Sequence, residues 1–279
     1  HWPDPAYRLY ARKTLMETEP PAPLPGMSEA GPWPSVNFPH SGLSILRRPD
    51  GMGGTLDAVF RWGMTDNRGE FAMLSLDLSM FGRRAQNYPG HFNWGSTDLH
   101  HLWQIQTASH TTVVVDRRNH SGMKDYYKGH YQPHPSRGLF FEEGPLATAA
   151  LAENTRIVPG VRMNRAVCVF DGLYLVIDML RSEKPHTYDW WFHGVPDGAG
   201  GAKGVAADFR PRPEPLGTTD GYQMVGDLSS ARITGNLSCE WPMPKGGRPE
   251  TLSLAALVLN DAPMEAVHGF EWSYQYTKR

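Results

Sequence analysis

The sequence predicts an all-β protein, built as a large antiparallel β-sandwich. From Phe38 onward, short apolar runs are separated by Gly, Pro, Asn and Asp, and several of these runs alternate apolar with polar residues. Over the same part of the chain, no helical period is sustained for more than about three turns. Strands at this spacing, joined by this turn chemistry, are typical of antiparallel sheets that pack face to face.

The strand signal is strongest in a few short segments. Between residues 71 and 81, leucines and a methionine alternate with serines and an aspartate, which predicts a half-buried strand. The dipeptide Asp171-Gly172 separates two apolar runs and predicts a tight hairpin. Residues 194–215 are rich in Gly and Pro and predict a long loop. The predicted strands lie at residues 71–81, 111–115, 166–170, 173–180, 252–259 and 270–276.

The beginning of the chain predicts a short helix and a stiff linker. Asp4 can cap the helix, Pro5 suits its first position, and an apolar stripe follows. Residues 19–26 are too rich in proline to continue it. We therefore divide the chain into 1–35, the helix and linker, and 36–279, the β-sandwich domain. The first residue is a histidine rather than a methionine, and no signal peptide precedes it, which indicates a processed product or a fragment.

Composition excludes several classes of protein. The 279 residues include 27 basic and 29 acidic side chains, a balance that argues against binding to nucleic acid through phosphate contacts. No stretch approaches the roughly 20 apolar residues of a membrane span. The aromatic content, 11%, is too high for a disordered chain. Two cysteines, Cys168 and Cys239, cannot form a disulfide framework; their apolar strand contexts predict core residues, and whether they pair stays open.

Histidines and aromatic residues are concentrated between residues 88 and 134. Seven of the chain's 12 histidines lie there, beside several tryptophans and tyrosines. The sequence has no nucleophile elbow, phosphate-binding loop, HExxH or CxxC motif. Flat aromatic rings can stack on sugar rings, and interleaved polar groups can bond their hydroxyls. This segment therefore predicts a carbohydrate ligand.

The segment 103–116, WQIQTASHTTVVVD, resembles the "W…T.aHNTVVVDG" strand of the heparinase II/III-like polysaccharide lyases. Residues 38–47, 173–178 and 186–193 resemble three further strands of the same domain, in the expected order. The resemblance implies a large antiparallel β-sandwich that follows an N-terminal (α/α) toroid, with the substrate cleft between the two domains. It also implies that residues 4–26 are the tail of that toroid and the connection out of it.

The chain departs from this family at its H-G-H-x-D motif, where it has Arg-Gly-Glu-Phe-Ala instead. On this resemblance, Arg68 takes the place of the substrate-facing histidine and Glu70 that of a metal-binding histidine. The aspartate of the next motif is replaced by Asn87 or Tyr88, so that only His110 remains of the metal ligands. We therefore expect no certain cofactor; a divalent metal, if one binds, would be calcium rather than zinc.

The activity implied is β-elimination from a uronic-acid-containing polysaccharide. Negative charge builds on the sugar carboxylate as its neighbouring proton leaves, and a fixed arginine such as Arg68 would stabilise it. His110 would donate a hydrogen bond or hold a neighbour in place. Tyr88, Tyr127 and His130 are candidates for the acid or base. We assign catalysis to Arg68, Glu70, His110 and Tyr127, substrate binding to Asn87, Tyr88, Trp103, Gln104 and His130, and any metal contact to His110.

The expected partners are an acidic polysaccharide or oligosaccharide and an N-terminal toroid domain or chain, without nucleic acid or membrane, in a secreted or periplasmic protein. Two alternatives stay open. The altered H-G-H-x-D motif favours a non-catalytic carbohydrate-binding or scaffold module, whereas paired carboxylates such as Glu70 and Asp77 would suit a hydrolase. Trp103 and Gln104 either bind sugar or pack beneath the sheet.

Overall fold

The computed structural model describes residues 34–50, 54–63, 71–80, 83–85, 100–120, 136–194, 208–234, 237–242, 251–256 and 264–271. All of these except Pro34 belong to one compact unit that begins at Ser35. The predicted helix and linker lie outside the described residues.

Antiparallel strands dominate this part of the chain, as the sequence predicts. The described strands are β1 (Val36–Phe38), β2 (Leu43–Pro49), β3 (Thr55–Arg61), β4 (Ser75–Met80), β5 (Arg83–Arg84), β6 (Val113–Val115), β7 (Arg137–Glu143), β8 (Ala147–Asn154), β9 (Val161–Phe170), β10 (Leu173–Ser182), β11 (Tyr188–Trp190), β12 (Arg210–Pro211), β13 (Val225–Ile233), β14 (Leu237–Pro242), β15 (Thr251–Ala256) and β16 (Met264–Glu271). Helical structure in the described residues is limited to a π-helical turn, His100–Gln104, and two 3₁₀ turns, Thr107–Ser109 and Tyr222–Met224. None of these described helices has the length and apolar character that a membrane crossing requires.

The strands form a sandwich of two main sheets with smaller sheets beside it. One main sheet has the order β1-β2-β3-β4-β5 and the other β10-β9-β8-β7. The smaller sheets pair β11 with β6, β12 with β13 and β16, and β14 with β15. The all-β prediction is confirmed.

The two main sheets share the first core of the molecule. In β3, every second residue (Leu56, Ala58 and Phe60) is buried, which is the period that a half-buried strand requires. The facing strand β9 buries alternate residues in the same way. The strand predicted at 71–81 is β4, although Leu74 precedes it with a left-handed φ of 54°.

The hairpin predicted at Asp171-Gly172 joins β9 to β10. Phe170 pairs with Leu173, and the glycine takes a φ of 80° that favours a residue without a Cβ. Cys168 lies on the face of β9 that points away from the core, where it is half-buried and free. The prediction that Cys168 is a core residue is therefore wrong, because its position in the alternation places it on the outer face.

A second core lies beside the sandwich, and β6 connects the two. Val113 and Val115 belong to the first core, whereas Val114 belongs to the second, with Trp103 and Tyr222. Successive side chains of a strand point to opposite faces, so this short strand can pack into both cores at once. The chain from Trp103 to Val115 is thereby held between the two cores.

Candidate functional site

The candidate site is built on residues 103–112, which we call the His110 segment. Backbone hydrogen bonds fix this segment beside the start of β4. The N–H of Phe71 donates to the Ile105 carbonyl at 2.8 Å, and the N–H of Leu76 donates to the Thr111 carbonyl at 3.1 Å. The Thr112 hydroxyl donates to the Met73 carbonyl at 2.9 Å. The His110 segment therefore lies alongside residues 71–76.

The buried side chain of Arg165 on β9 bonds both the His110 segment and the residues before β4 from inside the sandwich. Its side chain is 0% exposed, and its Nε and Nη2 donate to the two carboxylate oxygens of Asp178 at 2.7 and 2.9 Å. Its Nη1 donates to the carbonyls of Leu74 and Thr111 at 2.6 and 2.8 Å. A buried guanidinium is tolerated when a carboxylate and further acceptors surround it in this way. The peptide that follows His110 is thus held by a fixed cation.

His110 itself is a buried, neutral imidazole. It is 3% exposed, and its Nε2 lies 3.1 Å from the Gln104 carbonyl oxygen. A carbonyl oxygen only accepts, so Nε2 carries the proton and Nδ1 does not. Burial, and then the nearby Arg61 and His193, holds the pKa of His110 well below its ordinary value. His110 therefore donates a hydrogen bond within the protein and carries no positive charge at neutral pH.

Trp103 and Gln104 are also buried, at 0% and 1% exposed. The Trp103 ring packs in the second core and meets the His193 ring edge-on, with centroids 5.8 Å apart. The Gln104 Oε1 lies 3.4 Å from His100 Nδ1. Of the two interpretations of Trp103, the structure favours packing beneath the sheet over sugar stacking.

A polar network that the sequence did not single out ties the His110 segment to the residues before β13. The Asn119 Oδ1 accepts a bond from the Thr107 N–H at 2.8 Å, while its Nδ2 donates to Gln106 and, at 2.9 Å, to Asp220. Gly221 packs so closely that an added Cβ would lie 2.9 Å from Gln106 Cβ. The Asp220-Gly221 dipeptide is a turn signal, but nothing in the sequence links it to Asn119 across 101 residues.

Tyr222 completes the second core as a protonated hydrogen-bond donor. Its hydroxyl donates to Asp189 Oδ2 at 2.6 Å and accepts a bond from Trp191 Nε1 at 3.3 Å. Burial, followed by the charge of Asp189, raises the pKa of Tyr222 above its ordinary value. Trp191 also stacks on His193, with ring centroids 5.6 Å apart. This tyrosine is therefore a structural donor rather than a general base at neutral pH.

Most of the remaining candidates lie outside the described residues. Within the described part, Asp77 of the hydrolase alternative forms an ion pair with Arg61 on the neighbouring strand. The residue that follows Glu70, Phe71, is hydrogen-bonded to the His110 segment. The candidates outside the described residues are Arg68, Glu70, Asn87, Tyr88, Tyr127 and His130.

No group of three or more His, Cys, Asp or Glu side chains in the described residues is placed to hold a metal ion. The Nε2 of His110 is already bonded to a backbone carbonyl. The described residues therefore do not fit a metal site, and a metal contact by His110 stays a prediction.

The chain is an all-β protein: an antiparallel sandwich of two main sheets, with a histidine-bearing segment held between two cores. Residues 30–251 match the family described as Heparinase II/III-like, C-terminal, and the chain belongs to this family. The predicted resemblance is thereby confirmed.

The fold is also similar to that of a solved lyase. The crystal structure of a heparan sulfate lyase HepC mutant from Pedobacter heparinus matches with a TM-score of 0.51 at 14% sequence identity. The match covers 87% of this chain and 37% of that chain, so this chain spans little more than a third of the length of that lyase. No curated protein matches this chain.

Proposed function

We propose that this chain is the β-sandwich domain of a polysaccharide lyase that cleaves a uronic-acid-containing polysaccharide by β-elimination. The observation that carries the proposal is the family match over residues 30–251, and the fold shared with a heparan sulfate lyase supports it. The proposal includes a cleft shared with an (α/α) toroid domain or chain. A uronic-acid-containing polysaccharide lies outside the cytoplasm, which favours a secreted or periplasmic protein.

The reaction needs a base, an acid and stabilisation of a carboxylate. The base removes the proton on the carbon that bears the carboxylate, the bond from the next carbon to the glycosidic oxygen breaks, and a double bond forms between the two carbons. The departing oxygen takes a proton. Because negative charge grows on the carboxylate in the transition state, an opposing cation is the largest catalytic contribution. We assign the role of this cation to Arg68, with Glu70 beside it. Tyr127 would be the acid or the base.

His110 has a positioning role in this proposal. A neutral, buried imidazole that donates to the Gln104 carbonyl supplies no charge to a substrate, but it fixes the backbone of the His110 segment. The hydrogen bond from Phe71 to Ile105 supports the proposal that Arg68 and Glu70 lie near this segment, since Glu70 comes directly before Phe71 in the sequence and Arg68 two residues before Glu70. The cleft is thus proposed along the start of β4.

The test is a product assay on the full-length protein with alginate, heparan sulfate and chondroitin sulfate. β-Elimination leaves an unsaturated uronate, so we expect ultraviolet absorbance to rise together with new reducing ends. New reducing ends without that absorbance would indicate a hydrolase and contradict the proposal. Binding without either signal would identify a carbohydrate-binding module.

A pair of arginine variants tests the assigned cation. Arg68→Ala is expected to lower turnover by roughly 10²- to 10³-fold, the usual cost of removing one group that stabilises transition-state charge. Arg210→Ala is the matched control, because the Arg210 side chain is 81% exposed on β12 and pairs with the neighbouring Asp208. Circular dichroism checks that both variants fold. Unchanged turnover in Arg68→Ala would remove Arg68 from the mechanism.

One observation favours the non-catalytic alternative. The three candidates that the structure describes, Trp103, Gln104 and His110, are all buried and do not present a surface to a sugar. A binding module would need only a surface elsewhere on the domain, whereas a lyase needs its reacting groups to reach the substrate. The product assay decides between the two functions.

A further inference from the structure

Arg61, at the end of β3, is a cation beside the proposed cleft. It lies on the face of β3 opposite the one that holds Phe60 in the first core. Its cross-strand partners are Leu43 on β2 and Ser75 on β4, and we call these three residues the Arg61 row. Directly opposite residues of an antiparallel pair have Cβ atoms about 5 Å apart, so their side chains lie side by side. Ser75 is the first residue of β4, where the cleft is proposed.

The His110 segment lies on the other side of β4. The N–H of Leu76, next to Ser75, donates to the Thr111 carbonyl at 3.1 Å. Paired strands are about 4.8 Å apart, so two such steps place the backbone of Arg61 roughly 10 Å from that of the segment. Burial is the largest cause of the lowered pKa of His110, and the charge of Arg61 is the next. The guanidinium therefore lies close enough to His110 to disfavour its protonation.

Arg61 is oriented by Asp77 and reaches the surface. The two side chains form an ion pair between β3 and β4, with 33% of the Arg61 side chain and 27% of the Asp77 side chain exposed. A guanidinium has five N–H donors in a planar fork, so a carboxylate that holds one edge does not use its full donor capacity. A side chain that is already oriented loses less entropy when it binds an anion. Arg61 therefore has the charge, the exposure and the orientation that recognition of a carboxylate needs.

The hydroxyl of Ser75 is a second, independent sign of a ligand in the Arg61 row. Ser75 is 2% exposed, and its Oγ has no hydrogen-bond partner among the described residues. Leaving a buried hydroxyl unbonded is costly, and an incoming acceptor removes that cost. A carboxylate bound by Arg61 would bring an acceptor oxygen to the neighbouring position.

We propose that Arg61, with Ser75 beside it, binds a carboxylate of the acidic polysaccharide and thereby selects uronic-acid-containing chains over neutral ones. This inference rests on the proposed function, since it names a further contact of the same cleft. Each uronic acid of the polymer carries a carboxylate, so a second cation can hold a sugar next to the one that Arg68 is assigned to stabilise. That contact is made equally in the ground state and in the transition state. Arg61 is therefore a specificity-determining residue rather than a second source of rate acceleration.

Affinity electrophoresis of the whole chain, in cold gels that contain alginate, heparan sulfate or chondroitin sulfate, measures the dissociation constant. For each polymer that the wild type binds, the matched ligand is its carboxyl-reduced form, in which every carboxylate has become a neutral CH₂OH group. We expect Arg61→Ala to raise the dissociation constant for the native polymer at least about tenfold, and to leave that for the reduced polymer within about twofold of the wild-type value. Arg61→Lys keeps the charge but not the planar fork, so it should recover only part of the affinity. In the product assay, Arg61→Ala should raise KM with little change in kcat, whereas Arg68→Ala is expected to lower turnover.

Two control variants separate recognition of a carboxylate from a structural role of the ion pair. Asp77→Asn also breaks the pair, but it keeps Arg61 and removes a competing negative charge, so it should keep most of the affinity for the native polymer. Arg47→Ala removes another arginine–aspartate pair of the same sheet face, Arg47 with Asp57 at 3.1 Å, and should leave binding unchanged. Circular dichroism checks that all variants fold.

Four results would each overturn the proposal. They are a wild type that binds none of the three polymers, an Arg61→Ala variant that binds like the wild type, equal losses in Arg61→Ala and Asp77→Asn, and an equal loss on the carboxyl-reduced polymer. Because binding is measured without turnover, a protein that binds through Arg61 but forms no unsaturated product would contradict the lyase and leave this site in place. A lyase whose affinity does not depend on Arg61 would do the reverse.

Discussion

Two buried imidazoles, His110 and His120, use the same kind of hydrogen bond. Each ring donates Nε2–H to a backbone carbonyl, His110 to Gln104 at 3.1 Å and His120 to Val113 at 2.9 Å. Burial is the largest cause of the lowered pKa of both, and it brings the pKa of His120 to about 4. Both rings are therefore neutral in the folded protein, and protonating either one opposes folding.

The stability of the domain should fall as the pH drops from about 6.5 to about 4. In that window the unfolded chain binds a proton at His120 that the folded chain does not, so the free energy of unfolding decreases with decreasing pH. The loss attributable to His120 reaches about 3 kcal/mol, from the separation of the two pKa values. Urea unfolding of the wild type and of His120→Gln at several pH values measures it.

His120→Gln retains an N–H donor for Val113 but cannot be protonated. The free energy of unfolding of the variant should therefore rise relative to that of the wild type as the pH falls. A matched replacement of the exposed His40 by Gln controls for the loss of one histidine. Parallel pH profiles for the wild type and His120→Gln would contradict the prediction.

At the scale of single residues, the sequence identified His110 but not its protonation state. His110 was selected from its motif, yet its neutral ring depends on burial between two cores that are assembled from distant strands. Asn119 had no motif at all, because its partners Thr107 and Asp220 come together only when the chain folds. Local patterns report which residues are present, whereas protonation and hydrogen bonding depend on the tertiary surroundings.

Among the described glycines, Gly42 at the start of β2 makes the closest backbone contact. The N–H groups of Trp62 and Gly63 both donate to the Gly42 carbonyl, at 2.8 and 2.7 Å. Gly42 has a φ of 63°, and a Cβ added to it would lie 1.9 Å from the Gly63 Cα. Two backbone segments therefore touch where the β2–β3 pair begins.

Gly42→Ala should lower the free energy of unfolding by about 3 to 5 kcal/mol, since left-handed strain and a backbone overlap both apply. Gly172→Ala in the β9–β10 hairpin is the comparison. Its φ is 80°, but an added Cβ would meet nothing within 4 Å. That variant should lose only about 1 to 2 kcal/mol. Urea unfolding measures both, and equal losses would show that the close contact at Gly42 has no energetic effect.

The sequence predicts the elements that local signals specify. The β9–β10 hairpin was predicted because Asp171-Gly172 lies between two apolar runs, and β4 because its residues alternate. The strand β12, Arg210–Pro211, was missed inside the Gly/Pro-rich stretch 194–215. It has only two residues and exists through pairing with Ser229 and Ser230 on β13, which no local pattern shows.

On the scale of the whole molecule, the two cores should unfold together because β6 belongs to both. Val113 and Val114 are 2% and 0% exposed, on opposite faces of the same three-residue strand. Removing volume from either face loosens the segment that the other core also packs against. Cooperative unfolding of both cores is therefore expected.

Val114→Ala should lower the free energy of unfolding by about 2 kcal/mol, and Val113→Ala by a similar amount. Tryptophan fluorescence samples Trp103 and Trp191 in the second core and Trp62 in the first, whereas far-ultraviolet circular dichroism samples all strands. We expect both signals to give the same urea midpoint in each variant. Different midpoints from the two signals in Val114→Ala would show that the two cores do not unfold together.

The exposed apolar face of the sheet β10-β9-β8-β7 illustrates a limit of sequence patterns at this scale. The run from Leu173 to Ile177 on β10 is apolar on both sides of the strand, a pattern that normally indicates burial on both faces. Tyr174 and Val176 do pack against the first core, but the odd-numbered residues stay exposed. Local alternation does not show which face of a strand stays exposed, so such a surface becomes visible only in the folded domain.

The guanidinium of Arg165 restricts how this corner of the molecule can be redesigned. Two of its acceptors are the carbonyls of Leu74 and Thr111, and a carbonyl cannot be removed by any substitution. Without Arg165, the Leu74 carbonyl would keep a bond from the Thr112 hydroxyl at 3.4 Å, and the Thr111 carbonyl would keep one from the Leu76 N–H at 3.1 Å. Exchanging Arg165 and Asp178 for hydrocarbon side chains would therefore remove the shorter of the two bonds to each carbonyl. A neutral interior here needs another donor at the same place to restore those bonds.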